Sequence, residues 1–244
     1  MRFAFESDKG KIREKNEDSY KVISGVPGVP DTFIVADGMG GHNKGEVASK
    51  TAVEFSEEFL MKNTGMFAQE QSILSGIISL IDETNRVVYM KSKETEENAG
   101  MGTTFIISVL LNGKFFIGHV GDSRVYLIRD GNIEQLTVDH SYIEELVRNG
   151  TLSREEAENH PNRNIITRAL GCADDILADT LSIETKQGDT FVLCTDGLSN
   201  MLTDERILDI ISASDDPGLS CSELVLQANE NGGEDNITVI VVKL

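Results

Sequence analysis

The chain has 244 residues, 39% of them apolar and 26% charged, a balance that suits a packed core of one large domain and excludes a disordered polyelectrolyte. Its 22 Lys and Arg against 41 Asp and Glu leave a formal net charge of −19, which repels nucleic acid and anionic membranes and gives neither a footing as partner. Three cysteines, at 172, 194 and 221, show no CxxC spacing and argue against a disulfide framework or a zinc site.

The N-terminal MRFAFESDKG lacks the apolar core of a signal peptide, and no apolar stretch approaches the roughly 20 residues that span a bilayer. A cytoplasmic protein without membrane insertion is expected. Near the start, Glu17-Asp18 closes a segment that begins at Arg13. The buried-strand pattern of Phe33–Ala36 then runs into Asp37-Gly38. The glycines at 38, 40 and 41 invite a nucleotide reading. Asn43 breaks both the dinucleotide fingerprint and the P-loop, so a tight turn with a free Gly38 carbonyl is the better reading.

Amphipathic spacing predicts helices over 45–61 and 69–92. Two apolar runs follow, Thr104–Leu111 and Phe115–Val120, joined by Asn112-Gly113. Asp130-Gly131 joins Arg124–Arg129 to Ile133–Leu136. Both dipeptides suit the type I′ turn, so these strands are antiparallel. Residues 139–171 break the pattern: short helical pieces, Ser141–Asn149 and Ser153–Asn159, precede a polar turn around His160-Pro161-Asn162, as in a flap or a plain surface excursion. Phe191–Cys194 runs into Asp196-Gly197, helices are predicted over 204–212 and 219–229, and Asp235-Asn236 precedes Ile237–Val242. Antiparallel strands apolar on both faces, with amphipathic helices to cover them, predict two stacked sheets between helical layers. No repeat or linker divides the chain, so residues 1–244 are expected to form a single domain.

A lone aspartate at a strand end is ordinarily a turn former or helix cap. Here the position recurs at Asp37, Asp122, Asp196 and Asp235, and strands of a sandwich converge on a common rim. Carboxylates held together stay ionised only if a cation neutralises them. Oxygen donors without Cys or His at ligand spacing suit Mg²⁺ or Mn²⁺. Two such ions about 4 Å apart can activate a shared water against an electrophile such as phosphorus. Arg13 suits a phosphate clamp because its fork pairs with two oxygens and stays charged; its bland alternative is an exposed surface arginine. His119, by strand alternation, faces away from Asp122 and is expected to pack. His140 and His160 could be solvent-exposed. No cysteine has an activating neighbour, which disfavours a cysteine phosphatase.

The segments RxxNEDS at 13–19, DGMGGHxxGExAS at 37–49, GTT at 102–104, GDSR at 121–124, DHS at 139–141, TRALG at 167–171, TDGL at 195–198 and GGEDNITV at 232–239, in this order, resemble the metal-dependent protein phosphatases (PPM, or type 2C) in their compact bacterial form. The resemblance implies an α+β fold, a four-layer α-β-β-α sandwich with two central antiparallel sheets and a flap at 139–171 implicated in substrate choice. It implies metal-dependent hydrolysis of phosphoserine and phosphothreonine in proteins, opposing a bacterial serine/threonine kinase and acting on that kinase and its targets, by an enzyme expected to be monomeric. By resemblance, Asp37 bridges two core Mg²⁺ or Mn²⁺ ions, Gly38 offers its carbonyl to one, and Asp196 and Asp235 complete the other. Glu17 and Asp18 act through water, Asp122 with Asp196 holds a weaker third ion, Arg13 binds the phosphate, and Asn236 orients its neighbours.

Animal relatives carry a histidine where Met39 stands, and a thioether cannot donate a proton. Water held at Asp122 is the first candidate for the leaving-group proton, with His42 as runner-up. Rival readings are a sporulation-type phosphatase acting on an anti-anti-sigma factor and a non-catalytic scaffold. The second would be expected to lack some of these acids or Arg13.

Overall fold

The computed structural model describes residues 1–40, 44–158, 160–162 and 164–244. One sheet takes strands β1 (Arg2–Asp8), β7 (Arg124–Arg129), β8 (Asn132–Gln135), β10 (Thr190–Cys194) and β11 (Ile237–Lys243) in the order β1-β11-β10-β7-β8. The other takes β2 (Asp18–Ile23), β3 (Asp31–Met39), β5 (Phe105–Leu111), β6 (Lys114–Val120) and β9 (Asp179–Glu184) in the order β2-β3-β5-β6-β9, with the short β4 (Gly102–Thr103) paired to the end of β3. Every pairing is antiparallel.

Side-chain alternation explains why the central strands are apolar at odd and even positions alike. Phe33, Val35, Phe115 and Ile117 point inward and meet Val125, Leu127, Phe191 and Leu193 of the facing sheet. Phe115 and Phe191 stack with ring centroids 4.0 Å apart. Ile34, Ala36, Ile107 and Phe116 point the other way, onto helices α1 (Gly45–Lys62) and α2 (Glu70–Ser92). On the far side, Val192, Cys194, Val239 and Val241 pack under α6 (Asp204–Ala213) and α7 (Pro217–Glu230). The result is the expected α-β-β-α sandwich. Cys194 is a core residue whose thiol burial pushes up to about 12.

The two predicted hairpin turns have positive φ at both central residues: 51° and 74° at Asn112 and Gly113, 52° and 74° at Asp130 and Gly131. Thr203 caps α6, its hydroxyl accepting from the Arg206 N–H. Between β8 and β9 lie α3 (Tyr142–Arg148) and α4 (Arg154–Glu158), with Ser141 capping α3. A four-residue helix, α5 (Asp196–Ser199), follows β10.

Three expectations change. Asp18 opens a strand rather than closing a segment, and β1, β2 and β9 carry no strong sequence signal. Gly38 lies within β3 rather than in a turn, because the strand continues past Asp37 to pair with β4. His140 is buried, at 5% exposure, because its ring lies under the root of the 139–171 segment. Among the described residues no helix is long and apolar enough to cross a membrane.

Candidate active site

The acids of the site come from both sheets. In the β2–β3 register Asp18 stands directly opposite Asp37, a pairing that places like charges side by side. Asp122 occupies the turn between β6 and β7, Asp196 starts α5, and Asp235 sits just before β11.

Neutral polar groups hold these residues in place. Around Asp37 the backbone N–H donates to Thr104 Oγ1 at 2.9 Å, and the carbonyl accepts from Thr103 Oγ1 at 2.9 Å and from the Thr104 N–H at 2.9 Å. Thr104 Oγ1 also lies 2.7 Å from Ser123 Oγ, beside Asp122. Thr195 Oγ1 donates to Asp18 Oδ2 at 2.9 Å. Asn236 pins the N-terminal loop: its Oδ1 accepts from the Glu17 N–H at 2.7 Å, and its Nδ2 donates to the carbonyls of Lys9 and Lys15. Gly38 is required sterically, since a methyl there would collide with the backbone oxygens of Gly45 and Glu17.

The acids are close enough to suppress one another's ionisation. Burial, then the charges of Asp18, Asp196, Asp122 and Asp235, hold the Asp37 carboxyl well above the usual range. Burial and the neighbouring charges of Asp196 and Asp235 push Asp18 up to about 7, against the bonds from Thr238 and Thr195. Burial, then Asp196 and Asp139, push Asp122 up to about 8. Asp196 is raised by burial and by Asp235, with a hydrogen bond from the Asp37 carboxyl acting the other way. Glu17 is raised by burial and by Glu46. This pattern identifies one shared cluster.

Asp18 Oδ1 and Asp122 Oδ1 are buried without any hydrogen-bond partner, a costly state for a carboxylate unless a cation completes it. The donor set is entirely oxygen. Among the described residues no three acids converge as a formed ligand group; it is the oxygen-only donor chemistry and the two orphaned carboxylate oxygens that fit Mg²⁺ or Mn²⁺.

Arg13 and Arg124 border the cluster. Arg13 Nη2 lies 2.6 Å from Asp235 Oδ2, with half of its side chain exposed, so the predicted phosphate clamp stands at the mouth of the site. Arg124 is spent on Asp139, which its Nε and Nη2 both reach. A groove of about 590 Å³ opens beside Asp122 and Asp196, walled by Glu144 and Arg154 on one side and by Asn200 and Asp204 on the other. A hollow of about 640 Å³ at the opposite rim, by Asp31, Asn112 and Lys186, contains none of the cluster.

Of the predicted site residues, Arg13, Glu17, Asp18, Asp37, Gly38, Asp122, Asp196, Asp235 and Asn236 gather at this rim. His42 lies outside the described residues. Thr103, Thr104, Ser123 and Thr195 join the site without having been expected there from the sequence, although each falls within a motif. The hydroxyls at the strand ends, directly next to the acids, were the available signal.

Comparison with known proteins agrees with this geometry. The family model for protein phosphatase 2C matches residues 13–218. The serine/threonine phosphatase stp of Listeria welshimeri is 37% identical over 243 residues, covering 100% of this chain and 96% of that protein. The crystal structure of the Mycobacterium tuberculosis serine/threonine phosphatase PstP/Ppp superposes with a TM-score of 0.88 at 33% identity, covering 100% of this chain and 98% of that one. The catalytic domain of PstP in complex with two manganese ions gives a TM-score of 0.84 at 32% identity, covering 98% and 96%. An acid rim suited to divalent ions, on a sandwich shared end to end with these enzymes, places the chain in the protein phosphatase 2C (PPM) family of metal-dependent serine/threonine protein phosphatases.

Proposed function

We propose that the aspartate rim is the catalytic centre of this phosphatase. Asp37, the Gly38 carbonyl, Asp196 and Asp235 would hold two core ions, and Asp122 with Asp196 a weaker third. The observation that carries the reading is the mutual elevation of Asp18, Asp37, Asp122 and Asp196, with two buried carboxylate oxygens lacking partners. When bound, Mg²⁺ or Mn²⁺ would supply Lewis acidity and a water acidic enough to act as nucleophile at neutral pH.

The chain's own residues do the rest. Arg13, free on its solvent side, turns its guanidinium to two phosphate oxygens and orients the monoester. Glu17 and Asp18 accept hydrogen bonds from water in the cluster. Asn236 fixes the backbone of Glu17 and so the floor of the site. The departing serine or threonine oxygen needs a proton that Met39 cannot provide. Water held at Asp122 is the favoured source and His42 the second. His42→Ala with full turnover, alongside an impaired but folded Asp122→Ala, supports the first; the reverse result supports His42.

We place the enzyme in the cytoplasm as a single-domain monomer that reverses the action of a serine/threonine kinase, with residues 139–171 as the flap beside the substrate groove. The test is hydrolysis of p-nitrophenyl phosphate and of a phosphothreonine peptide with Mn²⁺, with chelator, and in Asp37→Asn. Loss of about 10²-fold or more is expected in the last two conditions, since the ions' charge is worth several kcal/mol to the transition state. Turnover that persists in chelator refutes the assignment.

A further inference from the structure

Behind Asp122 lies a buried group that the reaction above does not use. Gly121 has a φ of +110°, and a Cβ there would stand 2.6 Å from Thr104 Cβ, so only glycine fits and the residue has no side chain to anchor it. Both of its backbone polar groups go to one residue. The Gly121 N–H donates to His140 Nδ1 at 3.1 Å, and the Gly121 carbonyl accepts from the His140 N–H at 2.8 Å.

The imidazole is itself braced. Because Nδ1 accepts, the neutral ring carries its proton on Nε2, which faces Asp179 Oδ2 at 3.2 Å. Arg168 Nη1 holds the other Asp179 oxygen at 3.2 Å and lies 3.3 Å from His140 Nε2; with Nε2 protonated that approach is a contact and not a hydrogen bond, because both groups are donors. The ring of the fully buried His119 lies against it, centroids 4.7 Å apart. His119 and Asp179 face each other across β6 and β9. The His140 carbonyl accepts from Thr167, so the entry and exit of the 139–171 segment meet at this residue. Burial lowers the pKa of both histidines, in keeping with neutral rings.

We propose that His140 is a positioning residue: by clamping both polar groups of Gly121 it fixes the Asp122 carboxylate against Asp196. This rests on the reading of Asp122 as a ligand of the weaker ion. The clamp ties the root of the flap to that position, so a displaced root would alter ion affinity before it altered substrate contact. Residues that orient a ligand in this way typically change affinity or rate by about 10–100-fold when lost.

The experiment uses two variants that divide the imidazole's functions. His140→Asn keeps an acceptor near the Nδ1 position for Gly121. His140→Gln keeps a donor near Nε2 for Asp179 and gives up the side-chain half of the clamp, the acceptor for the Gly121 N–H, while the backbone bond to the Gly121 carbonyl stays. With p-nitrophenyl phosphate, His140→Asn should stay within about threefold of wild type. His140→Gln should lose about tenfold or more in kcat, with KM little changed and the half-saturating Mn²⁺ concentration raised as in Asp122→Asn. The metal-free wild type gives a readout independent of activity and of mutant folding. A trans-hydrogen-bond ¹⁵N–¹⁵N coupling should link the Gly121 amide to His140 Nδ1, with ring shifts of the Nε2–H tautomer. Absence of that coupling overturns the inference. So does wild-type behaviour of His140→Gln, or equal losses in both variants, while Asp122→Asn is impaired. Wild-type turnover and Mn²⁺ response in Asp122→Asn would instead sink the reading of Asp122, and the inference with it.

Discussion

Thr104→Val tests whether the hydroxyl scaffold positions the acids. The substitution is nearly isosteric and removes one oxygen that is fully buried. That oxygen accepts from the Asp37 N–H and lies 2.7 Å from Ser123 Oγ. A buried donor left unpaired costs about 1–3 kcal/mol. Two groups lose their partner here, and the serine hydroxyl can rotate in search of another, so a loss of roughly 2–4 kcal/mol is expected. For a chain of this size that corresponds to ~5–15 °C in Tm. The Asp37 carbonyl keeps its bonds to Thr103 and Thr104, so the strand should stay paired while its acid shifts. Turnover should fall about 10–100-fold, with a higher Mn²⁺ requirement, and Thr104→Ser should recover most of both. Thermal melts followed by circular dichroism and Mn²⁺ titrations of p-nitrophenyl phosphate hydrolysis measure the two effects separately. If Thr104→Val melts like wild type and turns over within twofold of it, the hydroxyl does not hold Asp37 and the scaffold argument is wrong.

The metal-free protein should lose stability as pH rises. Asp18 and Asp122 titrate at about 7 and about 8 when folded against ~4 when unfolded. The folded state therefore binds more protons between those values, and stability present below pH ~4 declines up to pH ~8; melts at pH 5.5 and 8.0 should show it, and saturating Mn²⁺ should remove it at pH 8.0. Asn236→Ala removes three hydrogen bonds from a residue 4% exposed and should cost roughly 2–4 kcal/mol in urea denaturation, with reduced Mn²⁺ affinity from a loosened Glu17; an unchanged midpoint would count against it. Arg13→Ala should leave Tm almost unchanged, because an ion pair with a half-exposed side chain contributes about 0–1 kcal/mol. It should lower kcat/KM by about 10²-fold, and unchanged kinetics would return Arg13 to the bland surface reading.

Central strands were legible because both of their faces are buried, so Phe33–Ala36 and Ile237–Val242 read as continuous apolar runs. The edge strands β1, β2 and β9 were not, whereas the edge strand β8 was announced by its Asp130-Gly131 turn. RFAFESD of β1 and DTLSIE of β9 mix charge with apolar residues, since one edge and part of one face meet solvent. Pairing with β11 and β6 decides their structure, and pairing is a tertiary fact. The acids were legible through their recurrence at strand ends. Their attachment was not, because a threonine hydroxyl gives no periodic signal and its partner lies up to 177 positions away, as Thr195 does from Asp18. The burial of His140 is hidden for the same reason: its polar surroundings in sequence suggest solvent, and only the return of the chain near Ile166 and Thr167 makes it internal.

A choice of donors runs through the whole rim. Oriented carboxylates could have been fixed by arginines, which would make stronger bonds but would discharge the cluster and occupy the oxygens a divalent ion needs. Instead Thr103, Thr104, Thr195 and Asn236 hold the backbone or a single carboxylate oxygen with neutral groups, and Ser123 braces the Thr104 hydroxyl. Arg124 is engaged by Asp139, and Arg13 is confined to the exposed mouth. The cluster is thereby aligned without being neutralised, and its repulsion remains available to favour cation binding. Exposed Asn200 donates to Asp196 Oδ2 at 3.1 Å, and substituting it with lysine should therefore stabilise the metal-free fold at high pH in thermal melts while weakening Mn²⁺ binding in titrations, a divergence of stability and affinity that a purely structural role for these acids would not produce.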